Sequence, residues 1–319
     1  MKVRGLLMND DALSPTCPDR DLPGLSPRTV SLIADLALLL CSLLWGLSFA
    51  AMKILVALYP ACWLLFLRFS AGSALIFLFF HERVRRTLRR DLVGGLVIGV
   101  ALFSAITTQT VALPHIEAGR QAFLSATYVL IVPLILWAVR RVFPGWVTLG
   151  AACVCLVGMG LLTDLSGPTS IGDALTLLCA LLFAFQILAI SRYTQGGDPI
   201  TLSFVEFVTL ALLSLISALL FEGPLSIQTA GLPELAFTIV FCTFGCYVIQ
   251  ICAQKYSRPS HATILMSLES VFGLLSGIVF LGEVLSLRMV AGCVLIFSAV
   301  LLAELGPLLR KGAAPTATG

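Results

Sequence analysis

Four ionisable side chains interrupt apolar runs that are long enough to cross a lipid bilayer, namely Lys53, Arg68, Glu206 and Glu269. A charge at the centre of such a run costs about 2.5–3.5 kcal/mol on insertion scales, so it normally faces a cavity or a partner. Glu269 is the strongest candidate for proton or cation coupling, because a carboxyl group in a low-dielectric cavity can exchange a proton for a solute. The alternatives are a permanent ion pair with Lys53 or an arginine, and a cap on backbone groups where helices cross.

An internal repeat surrounds these residues, at an offset of 138 positions. The matched pairs are Asp35 with Asp173, Cys41 with Cys179, Trp45 with Phe183 and Ala51 with Ala189. Each half holds about five apolar spans, and an odd number makes the second half enter the bilayer from the opposite face. Inverted repeats are typical of secondary transporters, with the site between the halves.

The same offset relates Arg68 to Glu206. Opposite charges at equivalent positions predict either a salt bridge between the halves or a gate that breaks during transport. Lys53 ends the first span near the outer interface, where it either snorkels to the headgroups or attracts a carboxylate of the solute. We therefore predict coupling or gating roles for Glu269, Arg68, Glu206 and Lys53.

Seven uncharged side chains within the apolar runs are predicted to line a solute-binding cavity. They are Trp45, Ser48, Gln109, Tyr128, Gln186, Tyr247 and Gln250. Gln250 follows Tyr247 by three positions, so both share one face of a helix. An aromatic and amide lining suits a small, partly apolar solute. Each residue alone is explained about equally well by a hydrogen bond between helices.

The composition indicates an integral membrane protein. Hydrophobic residues make up 59% of the chain and charged residues 12%, with a mean hydropathy of +1.02, whereas soluble domains carry about 25% charged residues. Most of the ten cysteines lie in apolar runs, where a thiol behaves as a small apolar group. No His or Cys spacing typical of a metal site is found. We predict no metal, no cofactor and no enzymatic activity.

We predict an all-α integral membrane protein with ten transmembrane helices arranged as two inverted five-helix repeats. The spans are 33–57, 61–81, 92–113, 119–139, 145–163, 172–192, 200–221, 233–253, 260–281 and 287–307. With the N-terminus inside, sixteen of the 20 lysines and arginines lie in cytoplasmic segments, two lie within spans and two lie outside. This distribution predicts a multi-pass protein of the plasma (bacterial inner) membrane with both termini cytoplasmic.

The chain is divided accordingly into four segments. Residues 1–28 are rich in Asp and Pro and predict a disordered cytoplasmic tail, with Met1 or Met8 as the native start. The two repeats cover residues 33–163 and 171–307. Residues 308–319 form a second cytoplasmic tail.

Five stretches occur in a characteristic order and spacing along residues 33–307. They are LLWGLSFAAMK (Leu43–Lys53), Arg68-Phe69, AGRQAFLSATYVLIVPL (Ala118–Leu134), AQKYSRPSHATILMSLESVFG (Ala253–Gly273) and LGE (Leu281–Glu283). Together they resemble the ten-helix EamA-type permeases of the drug/metabolite transporter superfamily. The chain departs from that family at Ser270, where a Pro is usual. It also lacks an acidic residue at the place inside the first span where the small multidrug-resistance relatives carry their proton-coupling carboxylate.

The resemblance implies a secondary transporter of amino acids, metabolites or drugs, with export as the expected direction and proton coupling left open. A membrane channel or scaffold is the alternative, and a polytopic membrane enzyme is a weaker one. The expected partners are a small-molecule substrate and the lipid bilayer, with no nucleic acid. Small residues in the fifth and tenth spans indicate either close helix packing or a homodimer contact. They are Gly150, Ala151, Cys155, Gly158, Ala291, Gly292 and Ser298.

Overall fold

The computed structural model describes residues 26–116, 118–141, 143–162, 170–226, 228–281 and 286–312. Within these ranges the chain forms helices and short connections, without a β-strand. Six helices of the described part are long and apolar enough to cross a membrane, and three shorter apolar segments accompany them. The chain is therefore an all-helical, multi-pass membrane protein.

The described residues form α-helices, two short 3-10 turns and one π-helix. The α-helices are α1 (Pro27–Leu58), α2 (Ala61–Arg85), α3 (Arg89–Ala112), α4 (Ala118–Ser125), α5 (Tyr128–Arg140), α6 (Trp146–Leu162), α7 (Ile171–Tyr193), α8 (Pro199–Phe221), α9 (Leu232–Phe237), α10 (Cys246–Gln254), α11 (Pro259–Met266), α12 (Glu269–Leu281) and α13 (Leu287–Gly312). The 3-10 turns are Leu113–His115 and Thr229–Gly231, and the π-helix is Thr238–Gly245.

The fourth and ninth predicted spans are each divided into two helices. The fourth, 119–139, breaks at Ala126–Thr127 between α4 and α5, and the ninth, 260–281, breaks at Ser267–Leu268 between α11 and α12. The prediction of one continuous helix at each place was wrong. Both breaks lie well inside the apolar runs, so each divides its span into two shorter helices.

A side-chain hydroxyl bonds to the nearby backbone at each break, and neither break contains Gly or Pro. The Thr127 hydroxyl donates to the carbonyl of Leu124 at 2.7 Å, and the Ser267 hydroxyl donates to the carbonyl of Ile264. In a continuous helix those carbonyls would accept from a later backbone N–H. Hydroxyl groups that bond to the nearby backbone compete with helical hydrogen bonding in this way.

The eighth predicted span, 233–253, is also not a uniform α-helix. It consists of α9, the π-helix and α10 in succession. A π-helix shifts the hydrogen-bond register and is frequent at functional sites. Here it lies against α1 and α2, in the interior of the helix bundle.

The outer ends of the first and last predicted spans extend into the segments that were predicted as tails. The helix α1 begins at Pro27, where the Ser26 hydroxyl accepts from the backbone N–H of Thr29 at 3.2 Å and caps the helix. The helix α13 continues to Gly312. The remainder of the two predicted tails, residues 1–25 and 313–319, lies outside the described residues.

Extensive helix contacts join the two halves of the chain. The helix α6 packs on α13, α2 packs on α8, and α3 packs on both α7 and α8. The helix α1 packs on α10 and α12, α5 packs on α7, and the π-helix packs on α2. Exchanging the two halves converts each of these contacts into itself or into another member of the same set.

The connections of the bundle gather at two ends. At the first end, Arg83 forms an ion pair with Asp198 at 3.5 Å, Arg90 donates to the carbonyl of Gln195, and Gln195 donates to the carbonyl of Lys255 at 3.4 Å. We call this end the arginine-rich face. At the other end, the opposite face, the Tyr59 hydroxyl donates to the carbonyl of Gln228 at 3.0 Å, and the Ser170 hydroxyl donates to that of His115 at 2.9 Å.

Each of the antiparallel helices α2 and α8 contacts the N-terminus of the other through a charged side chain at or just after its C-terminal end. At the arginine-rich face, Arg83 near the end of α2 pairs with Asp198, the capping residue of α8. At the opposite face, Glu222 after α8 accepts from the backbone N–H groups of Cys62 and Trp63 in α2 at 2.8 and 3.0 Å. Since Pro60 supplies no side-chain cap to α2, Glu222 takes that role from a distant part of the sequence.

Glu222→Ala is expected to lower the free energy of unfolding by about 1 kcal/mol, the usual cost of losing a side-chain helix cap. The carboxylate also complements the partial positive charge of the helix N-terminus. Thermal unfolding in detergent measures the effect. Glu82→Ala, an exposed glutamate near the other end of α2, is the matched control. Equal unfolding temperatures for both variants would contradict the capping role.

The small residues of the fifth and tenth spans pack mainly inside the molecule. A Cβ atom added to Gly158 in α6 would lie 2.8 Å from the carbonyl oxygen of Gly292 in α13, and Ala151 and Cys155 are fully buried. Close packing of α6 against α13 therefore accounts for most of this stripe. Gly150 is the exception, because a Cβ atom there would meet nothing within 4 Å.

Candidate functional site

A cavity of about 150 Å³ lies between the two halves of the chain. Its wall is built by α1, α2, α3, α4, α5, α7, α10, α11 and α12. The lining residues are Trp45, Ser48, Met52, Arg68, Ile106, Gln109, Thr110, Leu113, Gln121, Ser125, Ala126, Tyr128, Phe183, Gln186, Ile187, Tyr247, Gln250, Met266, Ser267, Glu269 and Ser270. Both helix breaks, at Ala126–Thr127 and Ser267–Leu268, contribute to this wall.

The structure brings most of the sequence-predicted site residues together around this cavity. All seven uncharged candidates line it, namely Trp45, Ser48, Gln109, Tyr128, Gln186, Tyr247 and Gln250. Arg68 and Glu269 line it as well, whereas Glu206 lies behind the wall and contacts Gln186. The side chain of Lys53 lies outside the described part of the structure. Binding and coupling by these residues remain predictions.

Aromatic side chains form one side of the cavity. The rings of Trp45 and Tyr247 pack edge to face with centroids 5.2 Å apart, and those of Tyr128 and Phe183 lie 6.4 Å apart. The indole N–H of Trp45 donates to the carbonyl of Cys242 in the π-helix at 3.0 Å. This bond fixes the Trp45 ring against the π-helix. The aromatic surface is therefore held in place from both halves.

Arg68 does not form the predicted salt bridge with Glu206. Its Nε donates to the Thr243 hydroxyl at 3.1 Å, and one terminal nitrogen lies 3.3 Å from the Met52 sulfur. The guanidinium group also lies 5.8 Å from the centroid of the Phe69 ring. The π-helix inserts Thr243 beside α2, so Arg68 finds a hydroxyl partner there. Arg68 is 5% exposed and lines the cavity without an acidic partner among the described side chains.

Glu269 is the first residue of α12 and faces the cavity. It forms no ion pair with any described side chain. The N-terminus of a helix carries partial positive charge, which favours a carboxylate. Its backbone lies close to α1, since a Cβ atom added to Gly46 would lie 2.8 Å from the Glu269 carbonyl oxygen. The packing of α1 on α12 thus sets the position of this carboxyl group.

Three buried amide side chains at or near the cavity wall, those of Gln186, Gln250 and Gln254, make few strong hydrogen bonds. Gln186 Nε2 donates to Glu206 Oε1 at 3.3 Å. Gln250 and Gln254 approach the Met266 sulfur at 3.9 and 3.6 Å, and a thioether is only a weak acceptor. The side-chain oxygens of all three glutamines are buried and have no partner among the described residues. Gln186 and Gln250 line the cavity, whereas Gln254 lies behind them.

Sequence reasoning missed several lining residues that a helical spacing could have indicated. Gln121, Ser125 and Tyr128 occur at positions i, i+4 and i+7, which share one helix face. Gln121 Nε2 donates to the carbonyl of Gln109 at 2.6 Å and so joins α4 to the end of α3. The helix break after Ser125 keeps these residues on one wall although α4 and α5 are separate helices.

The cavity extends towards the opposite face. Gln109 and Gln121 lie where α3 and α4 meet at that face, and the connections of the arginine-rich face contribute no lining residue. Beyond the cavity on the arginine-rich side, His261 lies 3.4 Å from Asp35 and the Ser257 hydroxyl lies 3.4 Å from the same His261 nitrogen. These contacts, with those of Arg83 and Gln195, close the bundle at the arginine-rich face.

The described residues contain no group of three or more His, Cys, Asp or Glu side chains that could hold a metal ion. The nine described cysteines are unpaired, and most of them are buried in the helix bundle. Cys155, for example, packs with its sulfur 2.9 Å from the Ser267 hydroxyl at the helix break. Within the described part, the thiols therefore act as packing groups.

These features define a multi-pass membrane protein with an internal polar and aromatic site. The chain belongs to the EamA-like transporter family, whose pattern matches residues 32–163 and again residues 170–305. It is 33% identical over 285 residues to an uncharacterized transporter of Archaeoglobus fulgidus, a match that covers 86% of each chain. A solved crystal structure shares the fold, with a TM-score of 0.74 and 18% identity over 89% of this chain and 99% of the other. The protein is thus a membrane transporter of a small molecule.

Proposed function

We propose that the protein is a secondary carrier that moves a small organic solute, such as an amino acid, metabolite or drug, by alternating access. One observation carries the proposal: two interrupted helices, α4–α5 and α11–α12, break at corresponding positions of the two halves and line one cavity. Interrupted helices at equivalent places in two repeats are the pattern that surrounds transporter sites near the bilayer midplane.

The proposed architecture has ten spans in two inverted repeats, 33–163 and 171–307. The opposite directions of the first helix in each half support it. The start of α1 lies at the arginine-rich face, where Asp35 contacts His261. The start of α7 lies at the opposite face, where Ser170 contacts His115. Exchanging the two halves leaves the set of helix contacts unchanged. A pseudo-twofold axis in the membrane plane would produce this symmetry.

The proposed solute is small and carries both apolar and polar groups. A cavity of about 150 Å³ in another protein accommodates a benzene-sized molecule. Trp45, Tyr128 and Tyr247 would contact its apolar part, and Gln186 and Gln250 would orient its polar groups. Export, proton coupling through Glu269 and location in the plasma membrane complete the proposal. A homodimer remains a prediction. Its support is Gly150 on α6, where an added Cβ atom would meet nothing within 4 Å.

Alternating access requires the closed end of the bundle to open. The contacts that must break lie at the arginine-rich face, namely Arg83 with Asp198, Gln195 with Lys255, and Asp35 with His261. The Arg83–Asp198 pair is exposed, and an exposed ion pair contributes only about 0–1 kcal/mol. A small set of such contacts can therefore open and close reversibly during a transport cycle.

A binding screen followed by counterflow tests the carrier function. The purified protein is screened for thermal stabilisation by amino acids, nucleosides, organic acids and cationic drugs, because a ligand that binds the folded state alone raises its stability. The stabilising compound is then loaded into proteoliposomes. We expect saturable uptake of the labelled compound, driven by exchange. Uptake that rises linearly with concentration, without counterflow, would instead indicate a channel.

Cysteine labelling tests the proposed orientation. Ser226→Cys, exposed at the opposite face, is expected to react with a membrane-impermeant maleimide added to intact cells. Arg89→Cys, exposed at the arginine-rich face, is expected to react only after the cells are opened. The parent chain, treated in the same way, gives the background from its own cysteines. Labelling of Arg89→Cys in intact cells would reverse the proposed topology.

A further inference from the structure

Glu206 is a fully buried carboxyl group just behind the cavity wall. It lies in α8 with an exposure of 0%, and its Oε1 accepts from Gln186 Nε2 in α7 at 3.3 Å. The helix α3 packs directly on its backbone, because a Cβ atom added to Gly99 would lie 2.8 Å from the Glu206 carbonyl oxygen. Gln186 itself lines the cavity, so this pair connects a buried acid to the solute site.

One side-chain oxygen of each residue in this pair has no hydrogen-bond partner among the described residues. These oxygens are Glu206 Oε2 and Gln186 Oε1, and both are buried. A carboxylate can only accept hydrogen bonds, so an ionised Glu206 leaves both oxygens unsatisfied. A protonated carboxyl group has one O–H donor. Placed on Oε2, that proton can be donated to Gln186 Oε1 while Gln186 Nε2 donates to Glu206 Oε1, which satisfies both groups at once.

Among the described side chains, no charged group forms an ion pair with Glu206. Arg68 in α2 donates to Thr243, and it forms no ion pair with Glu206. The ring of Tyr247 in α10 packs on that of Phe207, next to Glu206 in α8, with centroids 6.1 Å apart. The remaining ionisable residues of α3 and α7 lie near the ends of those helices, except for Cys179, which is buried in α7. They are Arg89, Arg90, Asp91, Asp173, Arg192 and Tyr193.

We infer that Gln186 and Glu206 form a proton-binding site in which a protonated Glu206 and the Gln186 amide make a cyclic pair of hydrogen bonds. The proton sits on Glu206 Oε2 and fixes the orientation of the Gln186 amide at the cavity wall. When the proton leaves, Gln186 Oε1 loses its donor and becomes free to accept from a solute. The link from this site to transport rests on the proposed carrier function, whereas proton binding itself does not.

Infrared spectroscopy of the purified protein in lipid tests the site without any solute. A protonated carboxyl group has a C=O stretching band that is separate from the carboxylate bands. We expect such a band at neutral pH in the wild type, and we expect Glu206→Gln to remove it. Glutamine keeps the size of the side chain and can still donate to Gln186, so the fold should be retained. In Glu269→Gln, the matched control, the Glu206 band should persist.

Gln186→Leu provides a second and independent readout. Removing the amide leaves Glu206 in place but takes away its partner, so the carboxyl band should shift in frequency rather than vanish. An unchanged protonated-carboxyl region in both Glu206→Gln and Gln186→Leu would overturn the inference. A carboxylate band for Glu206 that responds to sodium in place of pH would also overturn it. Because no transport is measured, a failure of the carrier proposal in counterflow leaves this result unaffected.

Discussion

Gly46→Ala is expected to destabilise the protein strongly, because α1 and α12 cross at this glycine without room for a methyl group. A Cβ atom at Gly46 would lie 2.5 Å from Phe272 Cβ, 2.8 Å from the Glu269 carbonyl oxygen and 2.8 Å from the Gly273 nitrogen. All three contacts are with atoms of the backbone or attached directly to it, which no side-chain rotation can move. Overpacking of a well-packed interior costs typically about 1–3 kcal/mol, and we expect the upper end of that range.

Thermal unfolding in detergent and monodispersity after purification measure this effect. Gly150→Ala is the matched control, since a Cβ atom there meets nothing within 4 Å. Alanine favours a helix over glycine by up to about 1 kcal/mol, so the control should be neutral or slightly stabilised. In Gly46→Ala the shift of α12 also displaces Glu269, so solute binding should fall further than stability alone explains. Equal stability of the two variants would contradict the crossing geometry.

Glu269→Gln is expected to remove the pH dependence of solute transport while the fold is kept. Glutamine has nearly the same shape as glutamate but cannot take up or release a proton. The protonated fraction of a titrating carboxyl changes by up to about tenfold per pH unit, so a coupled carrier should show a comparable change of rate. Across a pH range in which Glu206 stays protonated, the variant should instead transport at a nearly constant rate. The measurement is uptake into proteoliposomes at matched membrane potential.

Glu234→Gln serves as the control for this experiment. Glu234 lies in the first turn of α9 and does not line the cavity. Its replacement should leave the pH profile of transport unchanged. If Glu269→Gln and the wild type gave the same rates and the same pH profile, the proposed coupling role of Glu269 would be lost. A permanent ion pair would instead predict loss of folded protein in this variant.

Local sequence patterns were sufficient to identify the class of the protein and part of the cavity lining. Charges are costly in a bilayer, so the few polar side chains within apolar runs stand out without any structure. Trp45, Gln186 and Gln250 were found in this way and do line one cavity. Gln121 and Ser125 were missed, although their helical spacing with Tyr128 was visible.

The partners of those residues depended on tertiary structure. Arg68 and Glu206 are equivalent in the repeat and opposite in charge, yet Arg68 bonds to Thr243 and Glu206 to Gln186. The π-helix that presents Thr243 packs against α1 and α2, and this packing brings Thr243 to Arg68.

The membrane-protein class, the repeat and the polar positions followed from the sequence alone, because burial in lipid acts on each residue according to its own polarity. The breaks at Ala126–Thr127 and Ser267–Leu268 did not follow from it. A serine or threonine hydroxyl competes only weakly with a helical hydrogen bond, so a break persists where neighbouring helices supply other contacts. At the second break the Ser42 hydroxyl of α1 donates to the carbonyl of Leu265 at 3.1 Å. Tertiary packing therefore determined where the two helices are interrupted, and so where the cavity lies.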